Sequence, residues 1–428
     1  MESALSVAQE WIDKLYSRAY EKTQLNKQIK VLVNPFGGKG LAKELYEREI
    51  APIFSATDCV FDVEETKRAG HAAAIAEGLD IDRWGVVACC SGDGLPHEVF
   101  NGLGRRPDAK LALSKVAVTS LPCGSGNGLC LNLNGTSSPS QAALAVVKGR
   151  RMPLDLVSIT QGDRRILSFL SQTIGSIADA DLGTEHLRWM GEARFTYGVV
   201  KAIMSKRICA CDVAFHVRSD NKTGIKEDYR LERERLLALS KAKDRWEEED
   251  FEERIRRAAE GSELPALRFG SVNSPLPASM QLMPFRDLST FWAGNMSYMS
   301  ADANVFPAAL PSDGAMDVVL MNGTIPRLDA LGNLLAVEKG TFFDRKTVRY
   351  LKVEAVRVVP HGWEEKRKGQ TVDSSDNDEK GARKGGSIGN ISIDGERFPF
   401  EPFQAEVHRD LGTVLSCSGK IYETDGMG

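Results

Sequence analysis

The sequence predicts an α/β fold: an open, mostly parallel N-terminal sheet with helices on both faces, followed by a β-rich, antiparallel, sandwich-like second domain. Up to about residue 150, apolar runs of strand length alternate with helix-like segments, as in a parallel sheet with crossover helices. Beyond that point, short β-branched runs follow one another with few helices between them. With 428 residues, 42% of them hydrophobic, the chain is long enough for two or three domains.

The first part divides into a helical arm at 1–27 and a domain at 28–150. The arm carries a mixed polar and apolar helix pattern over residues 5–24. In the domain, the predicted elements are strands at 29–35, 59–66, 84–90 and 115–122 and helices at 69–79, 95–103 and 138–149. Because the carboxyl ends of parallel strands border the ligand crevice, residues that follow these strands are the first candidates for a functional site.

The second domain, predicted at 151–428, contains strand-like runs such as LDLVSIT at 154–160 and MDVVLMN at 316–322. Two insertions interrupt it. Residues 219–265 are densely charged and are predicted to contain a solvated helix. Residues 362–390 are polar, contain few aliphatic side chains and are predicted to be disordered. For both insertions, tolerated surface loops are favoured over a regulatory role.

Charge and cysteine spacing argue against several classes of protein. The formal net charge is −4, so the chain lacks the basic footprint of a nucleic-acid binder. No apolar run resembles a membrane span or the core of a signal peptide, which predicts a cytoplasmic protein. The eight cysteines contain no CxxC pair, so reduced thiols are expected rather than a zinc site or a disulfide framework.

Three glycine-rich turns follow predicted strands: NPFGGKG at 34–40, SGDG at 91–94 and LPCGSGNGL at 121–129. Glycines let backbone N–H groups approach an anion, and a following helix N-terminus adds a favourable dipole. No turn matches GxxxxGK(S/T), and none reads GxGxxG with an acidic residue about 20 positions later. Together the turns predict a phosphate-binding crevice that is neither a P-loop nor a dinucleotide site.

Asp93 stands in this crevice between Gly92 and Gly94. Phosphoryl transfer requires a group that positions the attacking hydroxyl and accepts its proton, and a carboxylate between glycines leaves space for both substrates. The alternative is a turn aspartate that caps the next helix. The neighbouring glycine-rich turns favour the catalytic interpretation.

The same stretches resemble a known family. VNPFGGKG, TKRAGHA, SGDGLPHEVFNGL and LPCGSGNGL are similar to the successive signatures of the diacylglycerol-kinase catalytic domain. The segment 177–198, IADADLGTEHLRWMGEARFTYG, resembles the substrate-recognition segment of the sphingosine kinase (sphingoid long-chain-base kinase) branch, and ISIDGE at 391–396 resembles the late DGE element of the family. The likeness covers residues 28–205 and resumes near 290–350 and 390–419.

The resemblance implies a two-domain kinase with ATP in the interdomain cleft and a lipid pocket in the β-rich domain. Asp93 would be the general base for the primary hydroxyl of the lipid. The nucleotide would be held by residues of both domains: Asn34, Pro35, Phe36, Thr66, Glu98, Gly124, Ser125, Gly126, Arg188, Arg194, Asp394, Gly395 and Glu396. The lipid headgroup would be bound by the SGDG turn and an acidic segment: Ser91, Gly92, Asp93, Gly94, Asp181 and, as the fallback, Asp179. Magnesium is expected mainly through the nucleotide, without a protein metal site.

Chemical considerations support parts of this assignment. A sphingoid base carries an ammonium group, and the carboxylate of either Asp179 or Asp181 would bind it through a charge-assisted hydrogen bond. The alternative is that the two residues form an acidic pair at a helix N-terminus, where the helix dipole favours negative charge. Arg188 and Arg194 diverge by about 120° on a straight helix, and a solvated basic face is the alternative for each. His97 is predicted to make a structural hydrogen bond rather than to take part in catalysis.

We therefore predict an ATP-dependent kinase that phosphorylates the primary hydroxyl of a sphingoid long-chain base such as sphingosine, sphinganine or phytosphingosine. Because its substrate comes from a bilayer, the enzyme would contact membrane surfaces reversibly from the cytoplasm. The amphipathic segment 194–207 is expected to pack at the lipid pocket, with calmodulin binding or membrane docking as alternatives. Homodimer formation stays open. The competing functions are a diacylglycerol or ceramide kinase and a noncatalytic lipid- or nucleotide-binding protein.

Overall fold

The computed structural model describes residues 2–20, 23–38, 40–184, 187, 193–205, 208–242, 246–261, 263–364, 390–417 and 419. The chain begins with helix α1 (Glu2–Ala19), as predicted for the N-terminal arm, and the described side chains of this helix are exposed. Among the described residues, no helix combines the length and the apolar character that a bilayer crossing requires.

Parallel strands form the first half of the fold. They are β1 (Gln28–Val33), β2 (Val60–Glu65), β3 (Val86–Ser91) and β4 (Ala117–Pro122). They pair in the order β4-β3-β1-β2. β3 and β4 are buried at every position because elements cover both faces of the sheet, and such strands appear in the sequence as continuous apolar runs. The four predicted strands are confirmed.

Helices lie on both faces of this sheet, as predicted. They are α2 (Ala42–Leu45), a π-helical turn (Tyr46–Ile50), α3 (Ala51–Ser55), α4 (His71–Glu77), α5 (Gly94–Gly104), α6 (Ala109–Lys115), α7 (Gly128–Asn134) and α8 (Pro139–Lys148). Successive strand residues point to opposite faces. Leu32 and Cys89 belong to the core beneath α4, α5 and α6, whereas Val31 and Ala88 belong to the core beneath α2, α3 and α8.

The second half of the fold is β-rich. Its strands are β5 (Arg150–Gln161), β6 (Arg164–Ser168), β7 (Ser171–Gly175), β8 (Cys211–Ser219), β9 (Gln281–Phe285), β10 (Leu288–Gly294), β11 (Tyr298–Ser300), β12 (Ala303–Asn304), β13 (Met316–Asn322), β14 (Arg349–Pro360), β15 (Ile391–Ile393), β16 (Glu396–Phe398) and β17 (Phe403–Ser416). These strands pair with one another antiparallel, and inward-facing side chains such as Phe291 and Phe403 share one core. At Val414, β17 also pairs in parallel with Val118 of β4, which joins the two halves through one strand.

The helices of the second half are α9 (Ser176–Leu182), α10 (Ala193–Ser205), α11 (Lys222–Ala242), α12 (Trp246–Ala259), α13 (Arg327–Val337) and a 3-10 turn (Thr341–Asp344). The charged insertion 219–265 thus contains two helices. The second is not simply solvated, because the Arg254 guanidinium donates to the carbonyl oxygens of Ser114 and Gly412 at 3.3 and 3.0 Å. Most of the insertion 362–390 lies outside the described residues, and its predicted disorder stays a prediction.

Candidate active site

The three glycine-rich turns meet at the carboxyl ends of β1, β3 and β4, as predicted. They line one cleft of about 460 Å³, which residues of the β-rich half close from the other side. The turns touch through backbone atoms. A Cβ atom on Gly92 would lie 2.5 Å from the carbonyl oxygen of Gly126, and one on Gly38 would lie 3.0 Å from Cα of Gly124. Gly38 also has a φ of +58°, a conformation that favours glycine.

Asp93 lies at the start of α5 and its side chain reaches the cleft. Its Oδ2 accepts a hydrogen bond from the N–H of Gly128 at 2.7 Å, and its Oδ1 accepts one from the N–H of Leu129 at 2.9 Å. The carboxylate therefore binds the first turn of α7 and makes no capping bond to α5, so the alternative of a cap on the next helix is wrong. These two bonds fix the orientation of a group that can accept about four.

The second glycine beside Asp93, Gly94, is required by a contact with the other half of the fold. A Cβ atom at this position would lie 2.5 Å from Oε1 of Glu396, which belongs to the β15–β16 hairpin. Asp394 and Gly395 form the turn of that hairpin with φ values of +51° and +85°. The resemblance placed these three hairpin residues at the nucleotide, and the structure places all three in the wall of the cleft.

The Asp394 carboxylate is fully buried and connects the two halves of the fold. Its Oδ1 accepts hydrogen bonds from the Ser168 hydroxyl at 2.7 Å and from the N–H groups of residues 170 and 171 at 2.9 and 3.0 Å. Its Oδ2 lies 2.8 Å from Nδ1 of His97. Because a carboxylate only accepts, Nδ1 carries the hydrogen. His97 therefore makes a structural hydrogen bond, and the expectation that it takes no part in catalysis stays a prediction.

Of the predicted nucleotide-binding residues in the parallel half, Asn34, Phe36 and Thr66 line the cleft and Pro35 does not. Asn34 accepts a hydrogen bond from the N–H of Phe36 at 3.0 Å, and its amide nitrogen lies 3.4 Å from the Ser91 hydroxyl. Phe36 is exposed at the rim, and buried Thr66 follows β2. Pro35 shapes the turn between Asn34 and Phe36 but does not line the cleft.

Glu98 lines the cleft and holds the neighbouring loop. Its carboxylate accepts hydrogen bonds from the N–H groups of Gly70 at 2.9 Å and Ala72 at 3.0 Å, so it caps the N-terminus of α4. This bond positions Arg68, a cleft residue that the sequence reasoning did not single out. Its position within TKRAGHA, one of the motifs quoted for the resemblance, was the available signal.

Buried thiols surround the glycine-rich turns. Burial raises the pKa of the Cys89 and Cys90 thiols well above their usual range and that of Cys130 to about 12. These side chains are therefore neutral at physiological pH and serve as small apolar groups beneath the cleft. The described cysteines are free, as predicted.

The acidic segment forms α9, so Asp179 and Asp181 lie on the same helix. The Asp179 carboxylate accepts a hydrogen bond from the amide of Asn390 at 2.6 Å. The side chains of Asp181 and Arg194 lie outside the described residues, as does Arg188 entirely, and their predicted roles stay predictions.

An apolar pocket of about 100 Å³ adjoins the cleft. Ile177 at the start of α9 and Trp292 on β10 line both cavities, so they form the junction between them. One wall of the pocket comes from α10, through Val199, Ala202 and Ile203. Within the predicted amphipathic segment 194–207, α10 thus packs along an apolar cavity.

Comparisons with known proteins agree with this geometry. Residues 28–159 match the family model described as the diacylglycerol kinase catalytic domain. Sphingoid long chain base kinase 4 of Schizosaccharomyces pombe is 32% identical over 407 residues, which cover 95% of this chain and 79% of the relative. The chain belongs to the sphingoid long-chain-base kinase family.

A second member of this sphingoid long-chain-base kinase family, Sphingoid long chain base kinase 5 of Saccharomyces cerevisiae, is 32% identical over 466 residues. The match covers 99% of this chain but 64% of that relative, so the chain spans about two thirds of the relative's length. A solved structure of a diacylglycerol kinase from Bacillus anthracis str. Sterne superposes with a TM-score of 0.54 over 92% of this chain and 98% of that one. At 14% identity this likeness concerns the fold alone.

Proposed function

We propose that this chain is an ATP-dependent lipid kinase that transfers the γ-phosphate of ATP to the primary hydroxyl of a sphingoid long-chain base and forms the 1-phosphate. The observation that carries the proposal is the adjacency of the two cavities, which share Ile177 and Trp292 in their walls. A polar, glycine-lined cleft suits a nucleotide, and an apolar pocket suits a hydrocarbon tail. A lipid that occupies the pocket would present its headgroup to the cleft that contains Asp93.

In this reaction Asp93 would accept the proton of the attacking hydroxyl. The N–H groups of Gly128 and Leu129 already hold both carboxylate oxygens, so the base is oriented before the substrates bind. General base catalysis typically contributes about 10²–10⁴-fold to the rate. The small neighbours of Asp93 leave the approach to it open, which a lipid hydroxyl and a phosphate both require.

Backbone donors are available for the phosphate oxygens. The N–H of Gly124 is bound to Oδ1 of Asn127 at 3.2 Å, whereas those of Ser125 and Gly126 have no acceptor among the described residues. We assign these two donors, together with Arg68, to the triphosphate. We assign magnesium to the nucleotide itself, where it offsets the charge of the phosphates.

The lipid headgroup would lie near α9. We assign its ammonium to Asp181, with Asp179 as the fallback, because a charge-assisted hydrogen bond to a carboxylate distinguishes a sphingoid base from a neutral diacylglycerol. The apolar pocket has a smaller volume than typical ligand sites, which measure roughly 300–1,000 Å³. A long tail would therefore require α10 or α13 to move outward.

Both of these helices expose apolar side chains on the side away from the pocket. The exposed residues are Tyr197, Val200 and Met204 on α10 and Leu328, Leu331 and Leu335 on α13. Leu328 and Leu335 are 83% and 74% exposed, which is unusual for leucine on a folded surface. We propose that this surface contacts a membrane reversibly, so that the lipid enters the pocket from the bilayer.

Cosedimentation with anionic vesicles tests the membrane surface. Leu328→Glu together with Leu335→Glu should lower the bound fraction severalfold while phosphorylation of detergent-dispersed substrate is retained. Leu282→Glu, at a leucine on β9 that is 57% exposed and lies outside this surface, is the matched control. Equal vesicle binding by both variants would contradict the assignment.

Transfer of labelled phosphate from ATP tests the activity. Sphingosine, diacylglycerol and ceramide are offered in matched detergent micelles, and we expect labelling of sphingosine first. Asp93→Asn should lower the rate at least about 100-fold. Asp82→Asn, at an exposed aspartate of the same half, is the control and should retain activity. No transfer by the wild type to any of these lipids would favour a noncatalytic binding protein, and preference for diacylglycerol would reassign the substrate.

A further inference from the structure

Two side chains that line the apolar pocket, Ser176 and Thr290, carry hydroxyl groups. Ser176 is 9% exposed and Thr290 is 1% exposed, and both line the pocket. In the described part of the chain, neither hydroxyl has a hydrogen-bond partner. Buried hydroxyls are normally paired, because removing them from water without a partner is unfavourable.

Two other hydrogen-bonding side chains of the pocket wall, Ser289 and Asn333, differ in this respect. The Ser289 hydroxyl donates to the carbonyl oxygen of Met321 at 3.1 Å, and Oδ1 of Asn333 accepts from the Thr347 hydroxyl at 3.0 Å. These groups are used by the fold itself. Ser176 and Thr290 are therefore the buried hydroxyls of this wall, among the described residues, that a bound molecule could satisfy.

Ser176 and Thr290 lie close together in the fold and close to Ile177 and Trp292, which line both cavities. In the antiparallel pairing of β7 and β10, Thr290 is opposite Gly175, the residue before Ser176. Thr290 and Trp292 share one face of β10, because alternate strand residues point the same way, and they are about 7 Å apart along the strand. Since Ile177 and Trp292 form the junction, the hydroxyl pair lies one step inside the apolar pocket.

We propose that Ser176 and Thr290 bind a hydroxyl group on the hydrocarbon chain of the substrate, and that the enzyme prefers a 4-hydroxylated sphingoid base over the same base without that hydroxyl. This inference rests on the proposed function. In a sphingoid base the 4-hydroxyl is the first polar group beyond the 2-amino-1,3-diol headgroup. With the headgroup in the cleft beside Asp93, the 4-hydroxyl would be the first polar group of the chain to lie beyond Ile177 and Trp292. There it would meet the hydroxyls of Ser176 and Thr290.

The test compares 4-hydroxysphinganine with sphinganine, which differ by this hydroxyl alone, in the same detergent micelles. We expect a kcat/KM ratio of about tenfold in favour of 4-hydroxysphinganine, the order of one net hydrogen bond. The double variant Ser176→Ala with Thr290→Val should bring the ratio close to one by slowing the hydroxylated base. Ser289→Ala, which removes a hydroxyl that is already bound, should preserve the ratio.

The outcomes separate this inference from the activity on which it rests. A wild type that phosphorylates both bases equally, or sphinganine faster, overturns the hydroxyl site and leaves the kinase activity established. If the double variant slows phosphorylation of both bases alike, the hydroxyl site is also overturned, because this result would mean that the two side chains contribute only to packing. Absence of transfer to either base overturns the proposed kinase itself. The wild-type ratio decides the question without any variant, so a folding defect does not block the test.

Discussion

Removal of the Asp394 carboxylate should destabilise the protein more than any ordinary surface change. Asp394→Ala deletes an acceptor that binds the Ser168 hydroxyl, the N–H groups of residues 169–171 and Nδ1 of His97. All these donors would remain in a buried site, where an unsatisfied group costs about 1–3 kcal/mol before relaxation. With water able to reach some of them, we expect a loss of about 3–5 kcal/mol in the free energy of unfolding.

Asp394→Asn should have a smaller effect, because the amide oxygen can still accept from the donors at Oδ1; a cost remains because the NH₂ group would face two other donors, Nδ1–H of His97 and the N–H of residue 169. We expect a loss of about 1–3 kcal/mol. Urea unfolding followed by tryptophan fluorescence measures both variants against Asp82→Ala. Asp82 is an exposed aspartate that pairs with Lys115, and its removal should cost less than about 1 kcal/mol. If Asp394→Ala unfolded at the urea concentration of this control, the carboxylate would not hold the two halves together and the reasoning would fail.

Two further predictions concern the cleft and the β-rich core. Gly94→Ala places a Cβ atom 2.5 Å from Oε1 of Glu396, so this carboxylate must turn away from its position in the cleft and the KM for ATP should rise severalfold. Gly224→Ala, with no atom closer than 3.9 Å, should leave steady-state kinetics unchanged. Burial raises the pKa of Asp155 to about 8, so the folded state keeps a proton that the unfolded chain releases near pH 4. Stability should fall by up to about 1.4 kcal/mol per pH unit between these values and level off above pH 8. Asp155→Asn should flatten this dependence in urea unfolding between pH 5 and 8; an unchanged slope would refute it.

Much of the parallel half could be predicted because each decisive signal is local. β3 and β4 are buried on both faces, which requires uninterrupted apolar runs, and the turns after them need glycine for close backbone contact. The glycines on either side of Asp93 indicated that large groups approach it. A side chain at Gly92 would meet the carbonyl oxygen of Gly126, and one at Gly94 would meet the Glu396 side chain. Both of these neighbours belong to the wall of the cleft.

The bonding partners could not be predicted in the same way, because they are distant in sequence. Asp93 binds amides 35 and 36 residues away, and Asp394 binds donors more than 220 residues away. A carboxylate gives no local sign of which backbone amides it will meet. Similarly, the charge density of α12 indicated a solvated helix, and nothing in its own segment indicated that Arg254 would reach the carbonyl of Gly412.

The pairing of Val414 with Val118 has a consequence for biosynthesis. The parallel sheet is encoded in the first third of the chain, yet the strand that covers its β4 edge is not translated until residues 403–416. During translation this edge would stay open, with unpaired backbone groups available to other chains. Until residues 403–416 have been made, intermolecular strand addition at β4 therefore competes with correct folding.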